Sequence, residues 1–211
     1  MADRDTPHGS IRLPRRPAHP AGDGYRSGRP CAPGDGGGTA RRITDSTGTP
    51  LLLRPAGPGD IDAARALHTR CSSATLTRRY PGPADGADGY LRHLLSPRHG
   101  LSMAVESAPG HLVALGHLLW DDDEAEVALL VEDAWQWRGV GGELLRSLLA
   151  LAVRAGRGTV YAVTCPAGAE MSAVLGGAGV VPERDRRDGV TVVSADIGAL
   201  PAAALSAPAG G

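Results

Sequence analysis

The sequence predicts an α/β domain, a mixed sheet of about six to seven strands with helices on both faces, and three observations predict it. Short apolar runs alternate along residues 50–198 with segments whose apolar residues recur at helical spacing. One continuous stretch, Glu126 to Gly156, reads as strand, glycine loop and long helix. Both ends of the chain are Pro-, Gly- and Ala-rich with little to bury.

Residues 1–42 are Pro, Gly and Arg with almost nothing apolar, so they are expected to be disordered. Arg15-Arg16 is not followed by the apolar stretch that an export signal needs. The domain is expected to begin at Leu51-Leu52-Leu53, a first strand ended by Pro55. Gly57-Pro58-Gly59-Asp60 turns into a helix whose buried face carries Ile61, Ala64, Leu67 and Cys71. His68 beside that face reads as a hydrogen-bonded packing residue rather than a catalytic one. Cys71-Ser72-Ser73 caps a second helix through Leu76 to Tyr80, and Asp85 to Leu95 makes a third. Arg78 and Arg79 read as a solvated helix face, with a substrate carboxylate as the alternative.

Leu101–Glu106 and Leu112–Trp120 form an antiparallel pair about Ala108-Pro109-Gly110. Gly116, mid-strand, marks a bulge or a close backbone approach. Asp121-Asp122-Asp123-Glu124 reads as a polar hairpin tip leading into the central strand, Glu126–Val131. After the loop, Val140, Leu144, Leu145, Leu148, Leu151 and Ala152 mark one helical face, closed by Gly156. Thr159–Thr164 is the next strand, Pro166–Ala178 a weak helix, and Val180–Arg184 pairs with Val190–Asp196 around Asp188-Gly189. Residues 199–211 are expected to be a second disordered tail.

A helix N-terminus preceded by glycines leaves main-chain N–H groups unpaired and carries partial positive charge, a cradle for phosphate. The chain has no lysine, so a P-loop is excluded. A dinucleotide fingerprint counted from Gly139 needs glycine at its sixth position, which is Leu144. Gln136-Trp137-Arg138-Gly139-Val140-Gly141-Gly142 directly after an apolar strand instead resembles the pyrophosphate loop of the GNAT superfamily, the acyl-CoA-dependent N-acetyltransferases. The string Arg70-Cys71-Ser72, Ser73, Thr75, Arg78-Arg79-Tyr80 is similar to the opening of bacterial protein lysine acyltransferase domains.

That resemblance implies a sheet splayed at the central strand and acetyl-CoA as acyl donor. Gln136, Trp137, Arg138, Gly139, Val140, Gly141 and Gly142 would hold the pyrophosphate, and Leu129, Leu130 and Val131 would line the pantetheine arm. Glu126 is the candidate general base, because a protonated amine cannot attack a thioester. Its alternative is a cross-strand partner for an arginine. A main-chain N–H near Leu130 would stabilise the developing oxyanion. The pattern departs from the family at Trp137, where a small residue is common. It departs again at Gly168 and Leu175, which stand where Asn and the Tyr general acid are often found. The function expected is direct transfer of an acetyl or other acyl group to a primary amine, with a catalytically weak acyl-CoA-binding or sensing module as the alternative.

Formal net charge is −1, so nucleic acid and anionic membrane are not expected partners. No apolar run approaches the ~18 residues of a membrane-spanning helix. Cys31, Cys71 and Cys165 are odd in number and lack ligand spacing, which fits a reducing cytoplasm and argues against a metal site. Partners expected are acetyl-CoA and an amine-bearing small molecule or protein, with a homodimer left open. Phe, Asn and Lys are all absent, a pattern that reads as codon bias rather than function.

Overall fold

The computed structural model describes residues 38–80, 87–164, 169–187 and 190–200. Among them, eight strands form one sheet in the order β1-β2-β3-β4-β5-β6-β8-β7. The strands are β1 Arg41–Thr44, β2 Pro50–Ala56, β3 Gly100–Ala108, β4 His111–Asp121, β5 Glu124–Val131, β6 Thr159–Thr164, β7 Glu183–Arg187 and β8 Val190–Asp196. The helices are α1 Ile61–Arg70, α2 Ser73–Arg79, α3 Ala87–Leu94, α4 Val140–Arg154 and α5 Ala169–Gly177. Every described strand pairing is antiparallel except β5 with β6, so the sheet is mixed.

The sheet separates two apolar layers. On one face Ala64, Leu67, Leu91 and Leu95 of the α1–α3 side meet Ala104, Leu112, Leu115 and Leu130. On the other, Leu144, Leu145, Leu148 and Leu149 of α4 are fully buried beside Met103, Val105, Leu118 and Val127, with Leu175 from α5. Each such leucine contributes roughly 1.5–3 kcal/mol of burial, which makes α4 the main apolar contribution to this layer. Its close approach depends on Gly116. A Cβ there would stand 2.8 Å from Leu148 Cδ1 and 2.9 Å from Leu144 Cγ. The register through Gly116 is continuous with both Met103 and Leu129, so close approach is the reason for this glycine and a bulge is not.

Three boundaries differ from the sequence expectation. The domain begins before Pro50: Arg41 and Arg42, assigned to the tail, form β1 with Ile43 as its one buried residue. A four-residue edge strand with a single apolar residue leaves almost no periodic signal. It is turned onto β2 by Asp45, whose Oδ1 accepts from the N–H groups of Thr47 at 2.9 Å and Thr49 at 2.8 Å. Second, the strand expected at 180–184 runs from Glu183 to Arg187, because Val180 is in the core beside α5 before the strand starts. Third, Leu200, assigned to the tail, packs against the core. Residues 1–37 and 201–211 of the expected tails, the Asp188-Gly189 turn and Gly168 lie outside the described residues.

Candidate active site

The site is made by a strand that loses its neighbour. β5 pairs with β6 only at Glu124↔Thr159, Ala125↔Val160 and Glu126↔Tyr161, and the two strands then part. On its other side β5 stays in continuous register with β4 from Glu124 to Val131. The splay therefore needs no bulge between β4 and β5. Beyond Glu126, alternate main-chain N–H and C=O groups of β5 face a gap instead of a strand.

A cavity of about 600 Å³ occupies that gap, lined by Val127–Val131 on one side and Val163 and Thr164 on the other. Met171, Ala173, Val174 and Gly177 of α5 wall one flank, and Thr75, Arg78 and Arg79 of α2 the opposite one. Gln136, Trp137, Gly139, Gly141, Gly142 and Arg146 line its outer end.

That outer end is an anion cradle in which Trp137 and Gly139 both adopt left-handed backbone, φ 62° and 79°, so the loop turns inward twice before α4 begins. Gly139 caps α4 without a side-chain hydrogen bond, leaving the first-turn N–H groups free. A Cβ at Gly141 would meet only Val131 Cγ2, at 3.7 Å, and at Gly142 only Arg146, from 3.7 Å. The fold itself therefore does not demand glycine at either place. What the missing side chains provide is room in front of the helix N-terminus, and the cradle fits a diphosphate.

Of the residues read from the sequence, Leu129, Leu130, Val131, Gln136, Trp137, Gly139, Gly141 and Gly142 line the cavity. Val140 and Arg138 are not among the lining residues. Val140 is buried beneath the helix. Arg138 lies over the Trp135 ring, and its Nη1 is 3.5 Å from Asp45 Oδ2. The Gln136 carboxamide donates to Thr75 Oγ1 at 3.1 Å and to Val131 O at 3.0 Å, so it shapes the loop through its side chain. The cation at the cradle is Arg146, which also pairs with Glu143. The sequence reading passed over Arg146, although its position one turn beyond Gly142 on α4 places it above the glycines.

Glu126 sits at the last position where β5 pairs with β6, next to the lining residue Val127. It is not itself among the lining residues. Burial pushes its carboxyl above the ordinary carboxylate value, while the Arg79 charge pulls it down and Asp121 pushes it up. On the same side lie two buried histidines. His68 Nδ1 is 2.7 Å from Ala64 O and therefore donates, so Nε2 accepts from the Tyr80 hydroxyl at 2.6 Å. This is the packing role the sequence suggested. Burial holds His117 well below its ordinary value, with its Nδ1 2.8 Å from Ser102 Oγ. Leu175 is buried in the core, so no general acid acts from that position.

No family model matches the chain. The GNAT domain of S. lividans PAT superposes on it with a TM-score of 0.62 at 25% identity, covering 74% of this chain and 96% of that one. The chain has the fold of the GNAT domains. Acetyltransferase Pat of Mycolicibacterium smegmatis is 30% identical over 109 residues, 49% of this chain. The alignment spans only 33% of that curated relative's length. A variant of a cAMP-binding acyltransferase from Mycobacterium smegmatis shares the fold at 23% identity and a TM-score of 0.54, over 79% of this chain and 49% of that one. The mixed, splayed sheet is thus the GNAT architecture, with the cavity at its open seam.

Proposed function

We propose that this GNAT domain transfers an acyl group from an acyl-CoA thioester to a primary amine in a ternary complex. The observation that carries the reading is the alignment, in one cavity, of a helix N-terminus cleared by Gly141 and Gly142 with the unpaired edge of β5. The diphosphate lies against the α4 N-terminus and Arg146, and the pantetheine arm hydrogen-bonds along Val127–Val131 as an added strand. The thiol end then reaches the neighbourhood of Glu126.

Glu126 takes the proton from the ammonium of the acceptor, directly or through one water. The freed nitrogen attacks the thioester carbon, the C–S bond breaks, and CoA leaves as thiolate, which takes up the second proton that the nitrogen sheds as the amide forms. A carboxyl raised by burial is a better proton acceptor near neutral pH than an exposed one. With Leu175 in the core, the thiolate leaves without a side-chain acid from α5. The acceptor is an amine-bearing small molecule or a protein amine. Cys71 is a buried free thiol, in keeping with a reducing cytoplasm.

Thiol release measured with a panel of amines tests the reading, comparing the wild type with Glu126→Gln. A large fall in turnover with CoA affinity retained supports it. A second reading, an acyl-CoA-binding module without turnover, is favoured by the buried Leu175; it predicts CoA binding and no thiol release with any amine.

A further inference from the structure

Arg79 ends α2 and lines the cavity, yet its Nε and Nη2 are buried without a hydrogen-bond partner. Among the described residues no carboxylate forms an ion pair with it. Its guanidinium carbon lies 4.6 Å from the centroid of the Tyr80 ring, a cation–π contact that uses none of its N–H donors. Nε–H and one Nη2–H share a single edge of the planar guanidinium. Those two parallel donors match the two oxygens of a carboxylate. Buried charged donors are unfavourable when left unpaired, so an orphaned edge on a residue that lines a ligand cavity points to a site completed by its ligand.

The position of Arg79 says which part of the ligand it meets. Thr75, one turn earlier on α2, is tied to the phosphate end: its Oγ1 donates to Asp133 Oδ1 at 2.9 Å and accepts from Gln136. Four residues further, α2 has advanced by about 6 Å. There the charge of Arg79 reaches Glu126, the residue at which β5 and β6 part. Ser72 and Asp133 fix the start of the helix, so this placement is held rigidly. The remaining wall here is apolar, Val127, Leu129 and Met171, and would suit any short acyl chain.

We propose that Arg79 pairs through its Nε/Nη2 edge with a carboxylate at the far end of the donor's acyl chain, so that the preferred donor is the CoA thioester of a short dicarboxylic acid. This rests on the acyl-CoA reading above. The distal carboxylate takes no part in bond making; it fixes the acyl chain while the amine displaces the thiolate at the other end.

Calorimetric titration of the whole chain with CoA, succinyl-CoA and butyryl-CoA tests this, because the two thioesters share chain length and differ in the terminal charge. Succinyl-CoA is expected to bind at least ~10-fold more tightly than butyryl-CoA. Arg79→Gln is expected to bring that ratio to about one, and Arg79→Lys, which keeps charge without the fork, to leave an intermediate ratio. Equal affinities in the wild type overturn the proposal without any variant, as does a preference that survives Arg79→Gln. If CoA itself fails to bind, the acyl-CoA reading falls and takes this inference with it; CoA binding without the preference removes this inference alone.

Discussion

The carboxylate of Asp133 grips Ser72 twice across 61 positions of sequence, accepting from its N–H at 2.8 Å and from its hydroxyl at 2.7 Å. Thr75 adds a third bond to the same carboxylate. Asp133 belongs to the turn after β5 and Ser72 caps α2, so the clamp joins that turn to the wall that carries Arg79. The hydrogen bonds from Ser72 and Thr75 hold Asp133 down at about 2, from an ordinary 3.8.

A depressed carboxylate stabilises the fold above its unfolded pKa, and the contribution is lost as pH falls through its folded pKa. Asp133→Ala should therefore lower Tm at neutral pH, and the gap to wild type should narrow from near pH 4 toward about 2. Thermal unfolding across that range checks it. A gap independent of pH would mean that the clamp acts through packing and not through charge.

Much of this was legible in the chain because the signals are local. The α4 periodicity, the glycine loop at its head, Gly116 as a bulge or close approach and Ser72 within the α2 cap each follow from a few adjacent residues. What escaped is set by distant partners. Arg138 reads as a phosphate ligand until the fold brings Asp45 to it. Arg79 reads as a solvated residue, because nothing local says that α2 lies over the open seam with that side chain's edge buried. The strand β1 has a weak local signal as well as a distant partner. Its anchor, Arg41 to Glu143 Oε2 at 2.7 Å, spans 102 residues.

Trp137 offers a second test. It is 87% exposed and holds φ at 62°, so it loses little contact if truncated while a bulky side chain pays for left-handed backbone. Trp137→Gly should stabilise the fold by up to about 1 kcal/mol, the strain relieved less the added entropy of an unfolded glycine. Denaturant unfolding measures it; a loss of more than ~1 kcal/mol would show that Trp137 packs in a way its exposure denies.

For Glu126 the sign is opposite to that of Asp133. Its folded pKa is raised, mainly by burial, so stability is fully present below the ordinary 4.5 and declines as pH rises through the folded value. Glu126→Gln removes the buried charge. The variant should match wild type below about pH 4.5 and exceed it in stability near pH 7, while losing turnover. Equal stability at both pH values would mean that Glu126 is solvated, and its candidacy as a tuned base would lose its physical basis.

The central claim is that main-chain amides at the α4 N-terminus hold a diphosphate. Calorimetric titration of CoA into wild type and Gly141→Asp tests it most directly. A Cβ at Gly141 meets nothing in the protein closer than 3.7 Å, and an acid in the first turn of a helix favours the helix, so the fold should be unharmed. The account predicts measurable CoA affinity in the wild type and at least a ~10-fold loss in the variant with Tm unchanged or higher. No binding by the wild type, or equal binding by both proteins, would contradict it.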